Sequence, residues 1–216
     1  MNFEDDIEDA IICPNCNHEQ ELHVTPTVNV TVDPDMKEKV LSGELFLFTC
    51  ENCGFSGYAG FPFIYEDKET NGGFLIYMEP GCEDREVGVD GDVADQVLLQ
   101  NMTMRLVHTQ DDLREKIFIF RDKLDDRLVE VVKDSILREM EAKKEKILPD
   151  ALYYAEDRFA CEGRSLIFVP RKGEEYLDPI KIPFTTYENI GKMMSGIWER
   201  EVEGYAVVDN EWVKTV

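Results

Sequence analysis

The sequence predicts an α+β protein whose β-rich N-terminal domain is followed by two helices and then by a small α+β C-terminal unit. Short stretches with alternating apolar residues recur through the first hundred positions, and a period of two is typical of strands. Apolar residues at helical spacing begin only after residue 109. A charged stretch at 143–146 precedes a second group of strand-like segments. We therefore predict two domains, residues 1–146 and 147–216.

Acidic residues dominate the composition. The chain of 216 residues holds 46 aspartates and glutamates against 23 lysines and arginines, which gives a net charge of −23. Residues 1–63 contribute 12 acidic and 2 basic side chains to these totals. Such a charge disfavours binding to nucleic acid or to an anionic membrane and favours a basic protein partner. Hydrophobic residues make up 43% of the chain, enough to build a core.

Neither a membrane span nor a secretion signal is expected. The sequence has no apolar run of the roughly 18 residues that a spanning helix needs. Three of its first six residues are acidic and none is basic, whereas a signal peptide is basic and then apolar. These features predict a cytoplasmic protein. In that reducing compartment, paired cysteines are metal ligands more often than disulfides.

The N-terminal region predicts a strand, a short helix and a second strand. Valines alternate between residues 24 and 32, which predicts a strand with one buried face. Pro26 bends that strand or confines it to a sheet edge, because proline has no backbone N–H. Asp33, followed by proline, predicts the start of a helix over 34–42. Residues 44–49 then predict a strand.

Two longer helices follow in the middle of the chain. Thr109 and Asp112 resemble a capping box, and apolar residues then keep helical spacing over 110–122 and 126–144. Asp125 is expected to cap the second helix after a kink or a tight turn. The other predicted elements are strands over 58–65, 74–78, 102–107, 152–155, 165–171 and 205–208 and a helix over 185–201.

Two Cys-x-x-Cys pairs carry the most specific chemistry in the sequence. Cys13 and Cys16 form the first pair, and Cys50 and Cys53 form the second. Four thiolates are the ligand set of a closed tetrahedral zinc site, so we predict one structural Zn²⁺ in a zinc-ribbon-like domain. The 33 residues between the pairs exceed the usual spacing. Loop closure entropy grows slowly, however, so the gap is a weak objection.

Other reactive side chains have simpler interpretations. A redox dithiol would sit at the start of a helix after a strand, and neither cysteine pair precedes a helical pattern. Isolated cysteines are expected to be inert, and histidines beside a full set of four cysteines are not needed as ligands. Asp90-Gly91-Asp92 resembles a calcium loop only faintly. The isolated cysteines are Cys82 and Cys161, and the histidines beside the first pair are His18 and His23. His108 lies just before a predicted helix and is interpreted as a surface or capping residue.

Acidic residues elsewhere leave a catalytic alternative open. A pocket holding several carboxylates with raised pKa would indicate a hydrolytic or metal-dependent site, and Glu66, Asp67, Asp125 and Asp126 are the candidates. A helix cap and the helix dipole account for the last two more simply. The balanced charges over 105–146 are interpreted as a solvated helix face.

The motifs together resemble the CpXC domain, a bacterial and archaeal domain named for its paired Cys-Pro-x-Cys motifs. The resemblance rests on residues 13–16 (CPNC), 50–54 (CENCG), 113–117 (LREKI) and 124–130 (LDDRLVE). It covers residues from about 10 to 138 and leaves the C-terminal unit unexplained. Glu51 stands where the family usually has proline, which alters the rigidity of the turn and leaves the ligands unchanged. The resemblance implies a zinc-binding domain and no particular reaction.

Three functional hypotheses follow from these observations. The first is a zinc-stabilised binding or scaffold protein that acts through contacts with a protein partner, and the acidic charge favours a basic one. The second is an enzyme with a structural zinc and an acidic catalytic site. The third is a thiol redox protein that uses the Cys-x-x-Cys pairs. The sequence predicts no nucleic-acid or membrane partner and gives no oligomeric state.

Overall fold

The computed structural model describes residues 7–87, 102–160, 163–194 and 204–215. Helices and strands are both abundant, and strands dominate before the first long helix, so the predicted α+β class is confirmed. The strands are β1 Ile7–Ile12, β2 Glu19–Val24, β3 Thr27–Asn29, β4 Leu47–Thr49, β5 Ser56–Tyr58, β6 Phe63–Asp67, β7 Phe74–Met78, β8 Glu86–Val87, β9 Thr103–Val107, β10 Ala151–Ala160, β11 Gly163–Lys172, β12 Glu175–Tyr176, β13 Ile180–Pro183 and β14 Tyr205–Ala206. The helices are α1 Met36–Ser42, α2 Gln110–Arg121, α3 Asp126–Ala142, α4 Phe184–Met193 and α5 Asn210–Val213.

Two antiparallel hairpins carry the cysteine pairs. Strands β1 and β2 form the first hairpin, and β4 and β5 form the second. We call these four strands and their two cysteine turns the cysteine ribbon. The predicted strand over 22–32 is in fact two strands, because Pro26 lies between β2 and β3, which belong to different sheets. Helix α1 starts at Met36 with Asp35 as its N-cap, two residues later than predicted from Asp33, and it ends before Gly43, whose φ is +80°.

A six-stranded mixed sheet forms the centre of the molecule, in the order β3-β6-β7-β9-β14-β8. Its β6–β7 hairpin turns at Asn71 and Gly72, which have φ values of +53° and +85°. Such values suit asparagine and glycine. Strand β14, from the end of the described chain, pairs in parallel with β9 and antiparallel with β8. The C-terminus thus contributes to the central sheet.

Helices α2 and α3 pack beside this sheet and have the predicted caps. The Thr109 hydroxyl accepts a hydrogen bond from the Asp112 N–H at 3.1 Å, and the Asp125 carboxylate accepts one from the Arg127 N–H at 3.0 Å. Lys123, with a φ of +57°, forms the tight turn between the helices. Leu113 and Ile117 are fully buried in the core that α2 shares with the sheet.

The remaining strands, β10 to β13, form a second sheet in which β11 pairs with β10, β12 and β13. This sheet begins at Ala151, close to the predicted domain boundary, and β10 packs against α2. The division at residues 146 and 147 stays a prediction. Helix α4 begins within one residue of the predicted helix, whose last part, 195–201, lies outside the described residues. No described helix is both long enough and apolar enough to cross a membrane.

The interpretation of residues 105–146 as a solvated face was wrong for six of their charged side chains. These residues are between 1% and 8% exposed, and we call them the buried charge network. Three are cations and three are anions, so the network is formally neutral. Its members are Arg105, Glu115, Lys116, Asp126, Glu130 and Lys133.

The network joins α2 and α3 to strands on both sides. Arg105 of β9 donates two hydrogen bonds to Asp126, at 2.7 and 2.8 Å. Lys116 donates to Asp126 at 3.1 Å and to the Val208 carbonyl at 2.6 Å. These bonds connect the start of α3 with the C-terminal segment that follows β14.

The other half of the network centres on Lys133. Its ammonium group donates to Glu115 at 3.0 Å and to Glu130 at 3.0 Å. Glu115 in turn accepts a hydrogen bond from the Tyr154 backbone N–H at 2.6 Å, which ties α2 to β10. Buried charges are tolerated in this way only when each has an oppositely charged partner and hydrogen bonds.

Candidate metal centre

The first cysteine turn is shaped by backbone hydrogen bonds. The Cys13 N–H donates to the His18 carbonyl at 2.8 Å, and the Asn17 N–H donates to the Cys13 carbonyl at 2.9 Å. Asn17 has a φ of +57°, a conformation that asparagine tolerates better than most residues. The turn therefore closes β1 onto β2 and brings the two sulfurs of the pair to one end of the hairpin.

The second cysteine turn repeats the first. The Cys50 N–H donates to the Phe55 carbonyl at 2.7 Å, and the Gly54 N–H donates to the Cys50 carbonyl at 2.9 Å. Gly54 has a φ of +71°, equivalent to that of Asn17. Because both bonds have the same sequence separations in the two turns, the hairpins present their cysteines in matching geometry.

All four predicted ligands meet between the two turns. The Sγ atoms of Cys13 and Cys53 are 3.7 Å apart, as are those of Cys16 and Cys50. All four sulfurs lie within 4.8 Å of one another. A tetrahedron with metal–sulfur bonds of about 2.3 Å has edges of about 3.8 Å, so the sulfurs fit around one ion. The cysteines are free thiols.

Two asparagines support the sulfurs symmetrically. The Asn15 amide donates to Cys53 Sγ at 3.5 Å, and the Asn52 amide donates to Cys16 Sγ at 3.5 Å. Each asparagine thus contacts the second cysteine of the opposite turn. The bond from Asn15 lowers the pKa of Cys53 to about 6, whereas burial raises the pKa of Cys50 to about 11. Donors to sulfur stabilise the thiolate form that binds metal.

A glutamine also bridges the two hairpins. The Gln20 side chain donates to the Thr49 carbonyl at 3.2 Å and accepts from the Glu51 N–H at 3.0 Å. Sequence reasoning missed Gln20 and the two asparagines. The signal for Asn15 and Asn52 was their shared position, directly before the second cysteine of each pair.

The other candidate residues lie apart from this group. Neither His18 nor His23 contributes a ring nitrogen to it. His108 contacts the Glu79 carbonyl through Nδ1 at 3.2 Å, and Cys82 accepts a hydrogen bond from a backbone N–H nearby. Cys161 and the loop at 90–92 lie outside the described residues.

Two of the four carboxylates proposed for an acidic site have structural partners. Glu66 accepts a hydrogen bond from the Asn29 amide and forms an ion pair with Lys68 at 3.0 Å. Asp67 is buried and accepts from the backbone N–H groups of two residues at the following turn, at 3.1 and 2.9 Å. Both side chains therefore hold the β3–β6–β7 part of the central sheet together.

The other two carboxylates face different surroundings. Asp125 caps α3 and pairs with Arg127 at 2.7 Å. Asp126 belongs to the buried charge network, where burial opposes its ionisation but Arg105 and Lys116 lower its pKa well below the usual value. None of the four candidate carboxylates lines the cavities of about 510 and 300 Å³ on the described surface.

A periodic signal for the buried charges is visible in retrospect. Asp126, Glu130 and Lys133 follow one another at helical spacing of four and three residues, so they share one face of α3. Lys116 lies between the buried Leu113 and Phe120 at the same kind of spacing. Charges within an apolar stripe, rather than opposite it, indicate burial.

Comparison with known proteins adds one finding. The family model described as CpXC protein matches residues 11–133, which is 123 of the 216 residues and more than half of the chain. The match includes both cysteine pairs, α2 and the first part of α3. Searches of curated proteins and of solved structures found no significant match.

Proposed function

This chain belongs to the CpXC family, and from that premise we propose that it is a zinc-stabilised binding or scaffold protein that acts through protein–protein contacts. The observation that carries the proposal is the closed group of four sulfurs between two matching turns. Four protein ligands leave no position for water or substrate, so a metal there holds the fold and performs no chemistry.

Zinc is the ion that the donor set favours. Tetrahedral four-sulfur sites in proteins hold zinc or iron, and zinc needs no redox partner. The asparagine amides that point at two of the sulfurs favour the thiolate form, which either metal requires. Bound zinc would connect the two hairpins of the cysteine ribbon, and it would contribute folding free energy.

Binding fits the rest of the described residues better than catalysis does. The four candidate carboxylates are separately engaged, and each of them has a basic partner. The acidic surface favours a basic protein, and it opposes nucleic acid because few cations remain to neutralise phosphate. We place the protein in the cytoplasm, where reducing conditions keep the cysteines available to zinc.

Elemental analysis of the untagged protein, with a thiol count before and after chelation, tests the metal. We expect about one zinc per chain and four thiols that become reactive only after chelation. Protein without metal but with two or more fast-reacting thiols would contradict the proposal and favour the thiol redox alternative.

A second experiment tests the mode of action. Crosslinking and affinity capture from the native host should yield a stoichiometric partner that is lost when the metal is removed. The same preparation is then assayed on a panel of generic hydrolase substrates. Turnover that depends on Asp125 or Glu66, without a captured partner, would favour the enzyme alternative instead.

A further inference from the structure

Strand β5 has an outer edge with which no described strand pairs. It pairs with β4 alone. The Phe55 carbonyl and the Ala59 N–H both bond toward the β4 side, at 2.7 Å each. Because backbone groups alternate in direction along a strand, Ser56 and Tyr58 direct their N–H and C=O groups away from β4. An unpaired edge of this kind is a template for another strand.

An apolar groove runs beside that edge. Its volume is about 300 Å³. One wall is formed by β5 and the residues after it, and the other by β1 and the first cysteine turn. Ile12 is 63% exposed and Tyr58 is 61% exposed, which is unusual for such large apolar side chains. The lining residues are Ile11, Ile12, Pro14, Phe48, Phe55, Gly57, Tyr58, Ala59 and Gly60.

Four exposed carboxylates lie on the two hairpins that line the groove or directly beside them. Glu19 lies directly across the hairpin from Ile12, and Glu51 follows the first cysteine of the second turn. Glu21 and Glu44 lie on the neighbouring parts of β2 and of the turn before β4. All four are exposed, and none forms an ion pair with another residue in the described ranges. The first basic residue of the chain is Lys37. The Arg114 guanidinium, which lies close to Gly43 and Tyr58, forms an ion pair with Asp111.

We infer that the β5 edge is the docking site for an extended segment of the partner protein, in which apolar residues alternate with lysine or arginine. The segment adds a third strand to the β4–β5 hairpin, and its backbone bonds with Ser56 and Tyr58. Its apolar side chains enter the groove, and its basic side chains face the four glutamates. Strand addition of this kind combines backbone affinity with side-chain specificity.

The inference rests on the proposed function and names the partner's chemistry. The acidic charge near the edge favours a basic partner segment over a second copy of this chain. A second copy of this chain would bring another 12 acidic and 2 basic side chains in its residues 1–63 against the same glutamates, and like charges in contact oppose association. A basic strand avoids this repulsion, because its lysines or arginines attract the glutamates.

The test uses the full, zinc-loaded chain and a fluorescent peptide of about nine residues, close to strand length, that alternates lysine with valine. Fluorescence polarisation should show saturable binding that weakens as ionic strength rises from about 0.05 to about 0.5 M. A peptide with glutamate in place of lysine should not bind. Two further peptides carry N-methyl groups at either the odd or the even positions. Only one of these two should lose binding, because alternate N–H groups face the edge.

A pair of variants tests the edge on the protein side. Ser56→Pro removes an N–H that points away from β4, so the hairpin should persist while peptide affinity falls about fivefold. Ser56→Ala keeps that N–H and removes only the hydroxyl that contacts Thr49, so its affinity should match the wild type. Zinc content of both variants confirms that the fold is intact.

Each outcome decides the inference. Equal binding of the two N-methylated peptides, or an unchanged affinity of Ser56→Pro with normal zinc content, would overturn strand addition at β5. If Ser56→Pro fails to fold, the N-methylated pair still decides. Capture of the native partner by Ser56→Pro at wild-type yield would leave the proposed function standing and exclude this edge. A wild-type chain that holds no zinc and captures no partner would refute the proposed function itself.

Discussion

The cysteine ribbon and the helical pair α2–α3 are built on opposite principles. In the ribbon, short two-stranded sheets carry exposed charges, and the four sulfurs lie at the centre of their contact. In the helical pair, charges of both signs are buried and neutralise one another beneath the central sheet. Two-stranded hairpins are marginal alone, and the ribbon adds only a few residues, such as Phe48, to the apolar core that contains the helices. We therefore expect the ribbon to depend on a bound metal and the helices to depend on correct pairing of their charges.

The largest loss of stability and metal binding is expected when one of the four sulfurs is removed. Cys50→Ala should abolish metal binding and unfold or aggregate the N-terminal region, because structural zinc contributes on the order of 10 kcal/mol. Metal content and hydrogen exchange over the ribbon measure the effect. Cys82→Ala, which removes a thiol outside the metal group, is the control and should keep its zinc. Unchanged melting and metal content in Cys50→Ala would contradict the assignment.

The helical pair should be most sensitive at Asp126. Asp126→Asn leaves Arg105 and Lys116 buried without their counter-charge, which should lower the free energy of unfolding by about 3–5 kcal/mol. Asp134→Asn on the same helix removes an ion pair with the exposed Arg138 and should cost about 0.5 kcal/mol or less. Denaturant unfolding of both variants measures the difference. Equal losses would show that burial of the network contributes nothing.

The pH dependence of stability tests the same interaction of Asp126 with its two cations. Arg105 and Lys116 lower the pKa of Asp126 in the folded protein, so its contribution to stability is complete above the unfolded pKa of about 3.9 and is lost as pH falls below it. Asp126→Asn should therefore lose less stability than the wild type between about pH 4 and pH 2. Parallel curves for the two proteins would argue against this charge interaction.

A smaller effect is expected around the sulfurs. Asn15→Ala removes the amide that donates to Cys53 and should weaken zinc affinity about 10- to 100-fold, as loss of an outer hydrogen bond does at other metal sites. Asn52→Ala should match it, because the two turns are equivalent. Competition with a chromogenic chelator measures both. A strong loss of zinc affinity at only one asparagine would show that the two hydrogen bonds are alike in geometry and unequal in energy.

The smallest effect belongs to the start of α2. Thr109→Ala removes the hydroxyl that accepts a hydrogen bond from the Asp112 N–H and caps α2, so the free energy of unfolding should fall by about 1 kcal/mol. Thr109→Ser keeps the hydroxyl and should change the free energy of unfolding little. Thermal unfolding of both variants provides the measurement. Zinc affinity should stay unchanged in each, since the cap is remote from the sulfurs.

Local signals in the sequence predicted the elements well. Thr109, Asp125 and Gly43 act as the caps that their residue types favour, because capping depends on residues only a few positions apart. Pro26 was expected to bend a strand and instead separates two sheets. The sequence could not distinguish these outcomes, because a missing N–H interrupts a ladder in either case.

The charged residues of α2 and α3 show where local reasoning fails. The equal numbers of acidic and basic side chains over 105–146 fit a solvated face as well as a neutral buried network. Burial depends on Val208 and Tyr154, which lie 92 and 39 positions from the α2 residues that they bond. A local sequence pattern spans only a few positions and never includes both partners of such a bond. The contacts of α2 with Val208 and Tyr154 could therefore not be predicted.

From residue types and spacing alone, we could predict the four cysteines of the candidate metal centre, the α+β class and the strongly acidic charge. These properties depend on residue type and on spacing within a few positions. The tertiary structure decided which charges are buried, how Asn15 and Asn52 cross between the turns, and which edge of the β4–β5 hairpin stays open. Each of those outcomes depends on distances between segments that are remote in the chain, and only the packed fold brings such segments together.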